Sequence, residues 1–276
     1  MHPVLFEIFG FPIHVYGVLI AGGFLLAMNL SRRQAEREGE DPEQLADIAF
    51  LALVAGIVGA RIVFVITKID EYMRNPLDIF LFWRGGVVFY GGFIGAALMI
   101  IYYCRKHRLD YFKIVDILIP YLAMGHAFGR LGCLAAGCCF GKPTELPWGI
   151  EFPINSMAHA QQQNDLLVSS HEHPLPVHPT MLYEAGFELG LFALLLWVRT
   201  RKRFHGQLFL TWLALYAVLR SVNEVLRGDK ERGLYYGLST SQWISLVVAA
   251  TAVVLFITLR RRRVELARQS EAMAAA

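Results

Sequence analysis

The stretch Ile114–Leu134, IVDILIPYLAMGHAFGRLGCL, is long and apolar enough to cross a lipid bilayer, yet it contains Arg130 near its end. A membrane-spanning helix needs about 20 predominantly apolar residues. Six further runs of this kind lie at about Ile13–Leu30, Ile48–Ile66, Val87–Tyr103, Thr180–Val198, Leu208–Leu226 and Trp243–Leu259. Hydrophobic residues make up 55% of the chain, above the roughly 45–50% of soluble domains. We therefore predict an all-α, polytopic membrane protein with seven transmembrane helices.

Basic residues alternate between the segments that connect these runs. The segments after the first, third, fifth and seventh runs hold 16 Lys and Arg residues, and the other three hold 7. Because cytoplasmic loops carry such an excess, we expect the N-terminus outside and the C-terminus in the cytoplasm. The first residues lack the basic region and cleavage site of a signal peptide, so we expect the first run to be retained. The net charge of +3 fits loops that face anionic lipid and does not indicate nucleic acid as a partner.

The chain shows no repeat of fixed period, and we expect residues 1–276 to form a single membrane domain. The longest external segment, about 141–179, contains six prolines that oppose long helices. We expect it to cap the outer face. Residues at about 264–276 are predicted to form a polar cytoplasmic tail.

Polar side chains within the predicted spans fall at one depth. With the orientation above, seven of them reach the outer half of the bilayer: Tyr16, Arg61, Tyr90, Arg130, Glu184, Arg220 and Glu224. An arginine at the membrane centre costs about 2.5–3.5 kcal/mol on insertion scales and usually faces a bundle interior or a wet cavity. This pattern predicts a polar site that opens toward the outer leaflet.

Two interpretations of these charges are open. The charges can be structural, since Arg220 and Glu224 are one helical turn apart and can pair locally. Alternatively, three arginines against fewer carboxylates leave positive charge for an anion, and the abundant anion at that depth is lipid phosphate, which arginine binds bidentately. Seven glycines near Tyr90 and Arg130 allow close approach of lipid or, equally, of another helix: Gly85, Gly86, Gly91, Gly92, Gly95, Gly129 and Gly132.

Several motifs of other functional classes are incomplete. Cys133, Cys138 and Cys139 lack the paired C-x2-C spacing of a zinc site, so we interpret them as buried hydrophobes, with a redox role for Cys138 or Cys139 open. The sequence HEHPL at 171–175 is not the H-E-x-x-H of a metalloprotease. Neither G-x-S-x-G nor a Walker A motif occurs. We therefore predict no metal and no cofactor.

Four motifs in order resemble the signature blocks of the prolipoprotein diacylglyceryl transferase family. They are YGGFIG at 90–95, GRLGCLAAGCCFG at 129–141, HPTMLYE at 178–184 and LRSVNEVLRGD at 219–229. The segments around Tyr16 and Arg61 also match, and the resemblance extends from about residue 12 to residue 259. The chain departs from the family pattern at Tyr90, where histidine is frequent, and at Cys133 and Cys138, where asparagine and glutamate are frequent.

The resemblance implies an enzyme of the bacterial inner membrane with its active site toward the outer leaflet. Such an enzyme transfers the sn-1,2-diacylglyceryl group of phosphatidylglycerol to the lipobox cysteine thiol of a prolipoprotein, with release of glycerol phosphate, as the first step of lipoprotein maturation. It implies catalytic roles for Arg130 and Arg220, which would bind the leaving phosphate, and for Tyr90, which would activate the thiol. His178 is an alternative proton acceptor. The implied substrate-binding residues are His178, Tyr16, Arg61, Glu224, Gly91 and Gly92, with Arg61 and Glu224 holding the site together.

Two functions of other classes are compatible with the same residues. A phospholipid carrier or scramblase also needs a basic groove with lateral lipid access, but it moves lipid without producing glycerol phosphate. A non-catalytic signal-peptide receptor binds the lipobox segment and is expected to do so after both arginines are replaced.

Overall fold

The computed structural model describes residues 4–8, 11–81, 86, 88–228 and 234–275, with side chains described as far as residue 265. The chain divides into two compact units. Unit 1 consists of Met1–Ala27 and Leu118–Ala276, and unit 2 of Met28–Ile117. Three residues of the predicted spans and motifs lie outside the described residues: Gly85, Val87 and Asp229. The same holds for three of the basic residues counted between the spans: Arg84, Lys230 and Arg232.

Helices occupy all seven predicted span positions. They are α1 (Val15–Arg37), α2 (Pro42–Thr67), α4 (Phe89–His107), α5 (Tyr111–Ala136), α7 (Thr180–Arg199), α8 (Gln207–Leu226) and α9 (Thr240–Ala275), and two short helices, α3 (Ile69–Tyr72) and α6 (Met157–Asn164), lie between them. Among the described residues, six helices are long and apolar enough to cross a membrane: α1, α2, α5, α7, α8 and α9. The seventh, α4, has 19 residues, of which Arg105, Lys106 and His107 form a basic last turn. The chain is thus a polytopic membrane protein, and the count of seven spans and their orientation stay predictions.

The ends of the chain differ from the sequence-based bounds. Strands β1 (Val4–Ile8) and β2 (Phe11–His14) pair in an antiparallel hairpin, so Ile13 belongs to a strand and α1 begins only at Val15. Pro12 favours extended backbone at Phe11, the residue before it, and Ile13 is held in the strand by its pairing with Phe6. A second small hairpin, β3 (Leu234–Tyr235) and β4 (Leu238–Ser239), precedes α9. That helix continues to Ala275, well beyond the predicted end of its apolar run at Leu259.

Unit 2 is built on the close approach of α2 and α4. Small residues face each other along this contact: a Cβ atom on Gly59 would lie 2.5 Å from the carbonyl oxygen of Gly91, and one on Gly92 would lie 3.2 Å from that of Gly56. Helices that meet without side chains between them pack backbone against backbone. The glycines of the YGGFIG motif therefore serve helix packing in this unit.

In unit 1, α5, α7 and α8 surround an apolar core. Helices α7 and α8 are joined by a short loop, and they pack with α5 around a cluster formed by Ile119, Ala123, Leu191, Leu195, Leu208 and Trp212. All six side chains are buried. This core fixes the rotation of the three helices, and hence the direction in which their polar residues point.

The segment between α5 and α7, residues 137–179, ties one end of these helices together. The backbone N–H of Gly141 donates to the carbonyl of His178 at 2.8 Å, and that of Lys142 donates to the carbonyl of Leu226 at 2.9 Å. A Cβ atom on Gly141 would lie 2.6 Å from the Cβ atom of His178, so this contact requires glycine. As a result, the end of α5, the start of α7 and the end of α8 meet at one place.

Candidate functional site

Three helices of unit 1 direct polar side chains toward one another at four-residue spacing. Side chains at positions i and i+4 lie on the same face of a helix. The residues are His126 and Arg130 on α5, Glu184 and Glu188 on α7, and Tyr216, Arg220 and Glu224 on α8. We refer to these seven residues as the polar cluster.

Arg130 is held by a buried carboxylate. Its Nη2 lies 2.9 Å from Oε1 of Glu184, and the two side chains are 14% and 4% exposed. Glu184 also accepts hydrogen bonds from Nδ2 of Asn223 at 3.1 Å and from the hydroxyl of Tyr216 at 3.4 Å. A buried ion pair is tolerated when further hydrogen bonds satisfy its remaining polar atoms, and Glu184 meets this condition.

His126 connects Arg130 to a second carboxylate. Its Nδ1 lies 2.7 Å from Oε1 of Glu188, and its Nε2 accepts from Nε of Arg130 at 3.2 Å. Glu188 accepts a further hydrogen bond from Nε1 of Trp212 at 3.2 Å. A carboxylate on one side and a guanidinium donor on the other assign the ring proton to Nδ1. With the ring proton on Nδ1, Nε2 of His126 accepts the hydrogen bond from Arg130.

His126 and Glu188 were not among the predicted site residues, although the sequence carries a signal for both. His126 precedes Arg130 by one helical turn, and Glu188 follows Glu184 by one turn. A search for polar residues four positions from each predicted site residue would have found them. Their importance depends on the pairing across helices, which sequence spacing does not reveal.

Arg220 carries a buried donor that is left unsatisfied. Its Nη2 lies 2.6 Å from Oε2 of Glu224, one turn further along α8, with side chains 10% and 8% exposed. Its Nη1 is buried and has no hydrogen-bond partner among the described residues. Leaving a buried donor without an acceptor costs about 1–3 kcal/mol, and more for a charged group. An anion that reaches Nη1 would remove this cost.

The expectation of surplus positive charge is wrong for this cluster. Arg130 faces Glu184, Arg220 faces Glu224, and Glu188 adds a third carboxylate beside His126. The local pairing of Arg220 with Glu224, open in the sequence analysis, is therefore present. What distinguishes the site is Nη1 of Arg220, which has no partner among the described residues although Glu224 already holds the guanidinium group.

The predicted site residues Arg61, Tyr90, Gly91 and Gly92 belong to unit 2. The guanidinium of Arg61 donates to the carbonyls of Asp78, Ile79 and Gly86 at 2.6, 3.0 and 3.1 Å, and it lies over the ring of Tyr72. Arg61 thus organises the backbone that leads into α4. Tyr90 lies at the start of α4 and is 39% exposed. The two glycines pack against α2, so their contact with substrate stays a prediction.

Tyr16 and His178 lie close to the ends of α5 and α7 in unit 1. A Cβ atom on Gly132 would lie 2.9 Å from Cδ2 of Tyr16, so the tyrosine ring covers that glycine, two residues from Arg130. His178 Nδ1 lies 3.3 Å from the hydroxyl of Tyr183, which also accepts from Nε1 of Trp148 at 2.8 Å. The HPTMLYE motif is thus anchored to the segment that closes the helix ends.

The three cysteines near Arg130 converge. The sulfur atoms of Cys133, Cys138 and Cys139 all lie within 4.8 Å of one another, and all are unpaired thiols. Hydrogen bonds from Cys133 and Cys138, with the charges of Arg227 and Arg130, lower the pKa of the Cys139 thiol. Cys133 belongs to a buried apolar cluster, and Cys138 and Cys139 pack against it, in agreement with the packing interpretation favoured from sequence.

These features define a polytopic membrane protein with an anchored guanidinium pair inside a helix bundle. The chain matches the family model described as prolipoprotein diacylglyceryl transferase over residues 3–258. It is 36% identical to a phosphatidylglycerol–prolipoprotein diacylglyceryl transferase of Clostridium tetani, over 95% of this chain and 100% of that protein. It is 35% identical to the protein of the same name from Bordetella bronchiseptica, over 92% of this chain and 94% of that protein. The chain belongs to the prolipoprotein diacylglyceryl transferase family, and the predicted resemblance and transferase class are confirmed.

Proposed function

We propose that the chain transfers the sn-1,2-diacylglyceryl group of phosphatidylglycerol to the lipobox cysteine thiol of a prolipoprotein, and that the polar cluster binds the phosphate of the lipid. Family membership and the names of the relatives support the reaction. The substrate sulfur attacks the glyceryl carbon that carries the phosphate. A C–S bond forms as the C–O bond breaks, the electron pair leaves with glycerol phosphate, and the thiol proton passes to a base.

The observation that carries the assignment of the site is the buried Nη1 of Arg220, which has no partner among the described residues. Arg130 is anchored in the same way, because its Nε and Nη2 are bonded to His126 and Glu184. Tyr216 is close enough to interact electrostatically with both guanidinium groups. Two oriented guanidinium groups, one of which keeps a buried donor without a partner among the described residues, support a site for a phosphate.

This arrangement favours the transition state over the bound lipid. The phosphate oxygen gains negative charge as the C–O bond breaks, so donors directed at it stabilise the transition state more than the ground state. Glu184 and Glu224 keep the guanidinium groups in place before the lipid arrives, which lowers the cost of reorganisation. Arg130 and Arg220 are the proposed catalytic residues, and Tyr90 and His178 remain the proposed groups for activating the thiol.

We also propose the finer membrane arrangement that the basic residues predict. The chain crosses the bacterial inner membrane seven times, with the N-terminus outside, the C-terminus in the cytoplasm and the site toward the outer leaflet. Helices at all seven predicted positions support this topology. Residues 141–179 would then cap the outer face as part of a single membrane domain, next to the ends of α5, α7 and α8.

The test is mass spectrometry of a lipobox peptide incubated with the purified chain and phosphatidylglycerol. We expect a diacylglyceryl mass increase on the cysteine peptide and none on its serine variant, with glycerol phosphate released in equal amount. Replacement of Arg220 by lysine, which keeps a positive charge beside Glu224, should strongly reduce the product while the detergent melting temperature is retained. Lipid movement without glycerol phosphate would instead indicate a carrier or scramblase. Peptide binding that survives replacement of both arginines, without product, would indicate a signal-peptide receptor.

A further inference from the structure

The thiols of Cys133, Cys138 and Cys139 form a cluster for which the transfer reaction has no use. The substrate supplies the reacting sulfur, so none of these three thiols is needed as nucleophile. Their sulfur atoms nevertheless all lie within 4.8 Å of one another. Cys133 is contributed by the last turns of α5, and the other two follow in the adjoining loop.

The size of the cluster suits a thiolate-bound cation. Zinc binds cysteine sulfur at about 2.3 Å, and three sulfurs around one ion then lie about 4 Å apart. The observed upper limit of 4.8 Å requires only a small contraction of side chains. The C-x4-C-C spacing does not indicate a metal site by itself, because such sites usually have the paired C-x2-C spacing. A loop that reverses the chain direction can nevertheless bring the same three sulfur atoms together.

The backbone of the loop is organised to bring the thiols together. The N–H of Cys138 donates to the carbonyl of Cys133 at 3.1 Å, which turns the chain back on itself after α5. Cys139 adopts a left-handed backbone conformation with φ of 63°, which is uncommon for a residue with a side chain and is retained where the surroundings demand it. The hydroxyl of Thr180 donates to the carbonyl of Cys139 at 2.6 Å and holds this conformation.

The surroundings provide charge balance, an apolar support and access. Three thiolates on a divalent cation leave one negative charge, and the positively charged Arg130 lies one helical turn before Cys133 on α5. Phe140 and Phe152 pack in the same buried cluster as Cys133. Cys138 and Cys139 are partly exposed, so an ion can enter and a water molecule can complete a tetrahedral set.

We propose that Cys133, Cys138 and Cys139 bind a thiophilic d10 cation, with Zn²⁺ as the ion of reference and a fourth position open to water. The bound ion would lock the loop that joins α5 to the rest of unit 1. It would thereby stabilise the turn of α5 that carries Arg130. The proposal does not depend on the transfer reaction, and each can fail without the other.

The experiment measures zinc on the full chain, purified in detergent with reductant and chelator and then dialysed against Zn²⁺. We expect one Zn²⁺ per chain, a rise in melting temperature with added Zn²⁺, and thiolate-to-metal charge-transfer bands when Co²⁺ replaces Zn²⁺. Cys138→Ser and Cys139→Ser should lose all three signals. Cys104→Ser is the matched control, because Cys104 is a buried thiol of unit 2, and it should retain them.

Two results would overturn the proposal. One is zinc content that is equal in the wild-type chain and the Cys138→Ser variant, provided that both have the same melting temperature without metal. The other is a disulfide within the cluster, detected by alkylating whole cells before lysis and mapping the cysteine peptides by mass spectrometry. That second result would make the cluster a redox pair rather than a metal site.

Discussion

Replacement of Glu184 by glutamine removes the charge that Arg130 faces while the shape of the side chain is kept. The carboxylate is 4% exposed and lies 2.9 Å from the guanidinium, so solvent cannot replace it. Removal of one partner of a buried ion pair costs about 3–5 kcal/mol. Glutamine retains one acceptor oxygen, and we expect the lower part of that range, about 3 kcal/mol, in the free energy of unfolding.

Reversible unfolding in mixed detergent micelles would measure this loss, and a double-mutant cycle with Arg130→Gln would test its cause. If the two side chains form the pair seen in the structure, the double variant should be less destabilised than the sum of the single variants by at least about 1 kcal/mol. Glu188→Gln serves as the control, since among the described residues the hydrogen bonds that link Glu188 to Arg130 pass through His126. Additivity of Glu184→Gln and Arg130→Gln within about 0.5 kcal/mol would refute the pair.

Three further predictions concern other parts of the site. Arg220→Lys should lower kcat/KM for diacylglyceryl transfer by at least about 100-fold with little loss of stability, because an ammonium group cannot donate to Glu224 and phosphate in the same planar geometry. Unchanged kinetics would show that Arg220 is not part of the anion site. Gly132→Ala should reduce transfer, since its Cβ atom would lie 2.9 Å from the ring of Tyr16. Gly129→Ala should be tolerated, because a Cβ atom there has nothing within 4 Å. Equal effects of the two substitutions in the transfer assay would contradict this prediction. In metal-free protein, the pKa of Cys139 is lowered, so its thiolate persists as pH falls below the ordinary thiol pKa of about 8.5. Alkylation of Cys139 at neutral pH should therefore be faster than that of Cys138. A slower rate would refute the lowered pKa of Cys139.

Much of the fold could be predicted from the chain because membrane spans are local features. An apolar run of about 20 residues must satisfy its backbone hydrogen bonds internally in lipid, so it forms a helix wherever it occurs. All seven predicted positions are helical for this reason. The hairpin at Val4–His14 was missed because its strands are short and their pairing partner cannot be identified from hydropathy.

Some of the site residues could be predicted from the sequence in the same way. Arg130, Arg220 and Glu224 stand out because ionisable residues inside spans are rare and costly, and the pair on α8 follows from its four-residue spacing alone. Whether Gly91 and Gly92 contact lipid or another helix could not be predicted from the sequence, since this depends on which face of α4 meets α2. The structure places both glycines in that contact.

The sequence by itself therefore determined the membrane class, the family and the arginines inside the spans. Only the tertiary structure decided that Arg130 is held by Glu184 and His126, that Arg61 is bonded to backbone carbonyls of its own unit, and that three thiols converge beside α5. The physical reason is that helix formation depends on neighbours along the chain. Ion pairing, orphaned donors and thiol clusters depend on how helices are rotated against one another, and packing of the apolar cores sets that rotation.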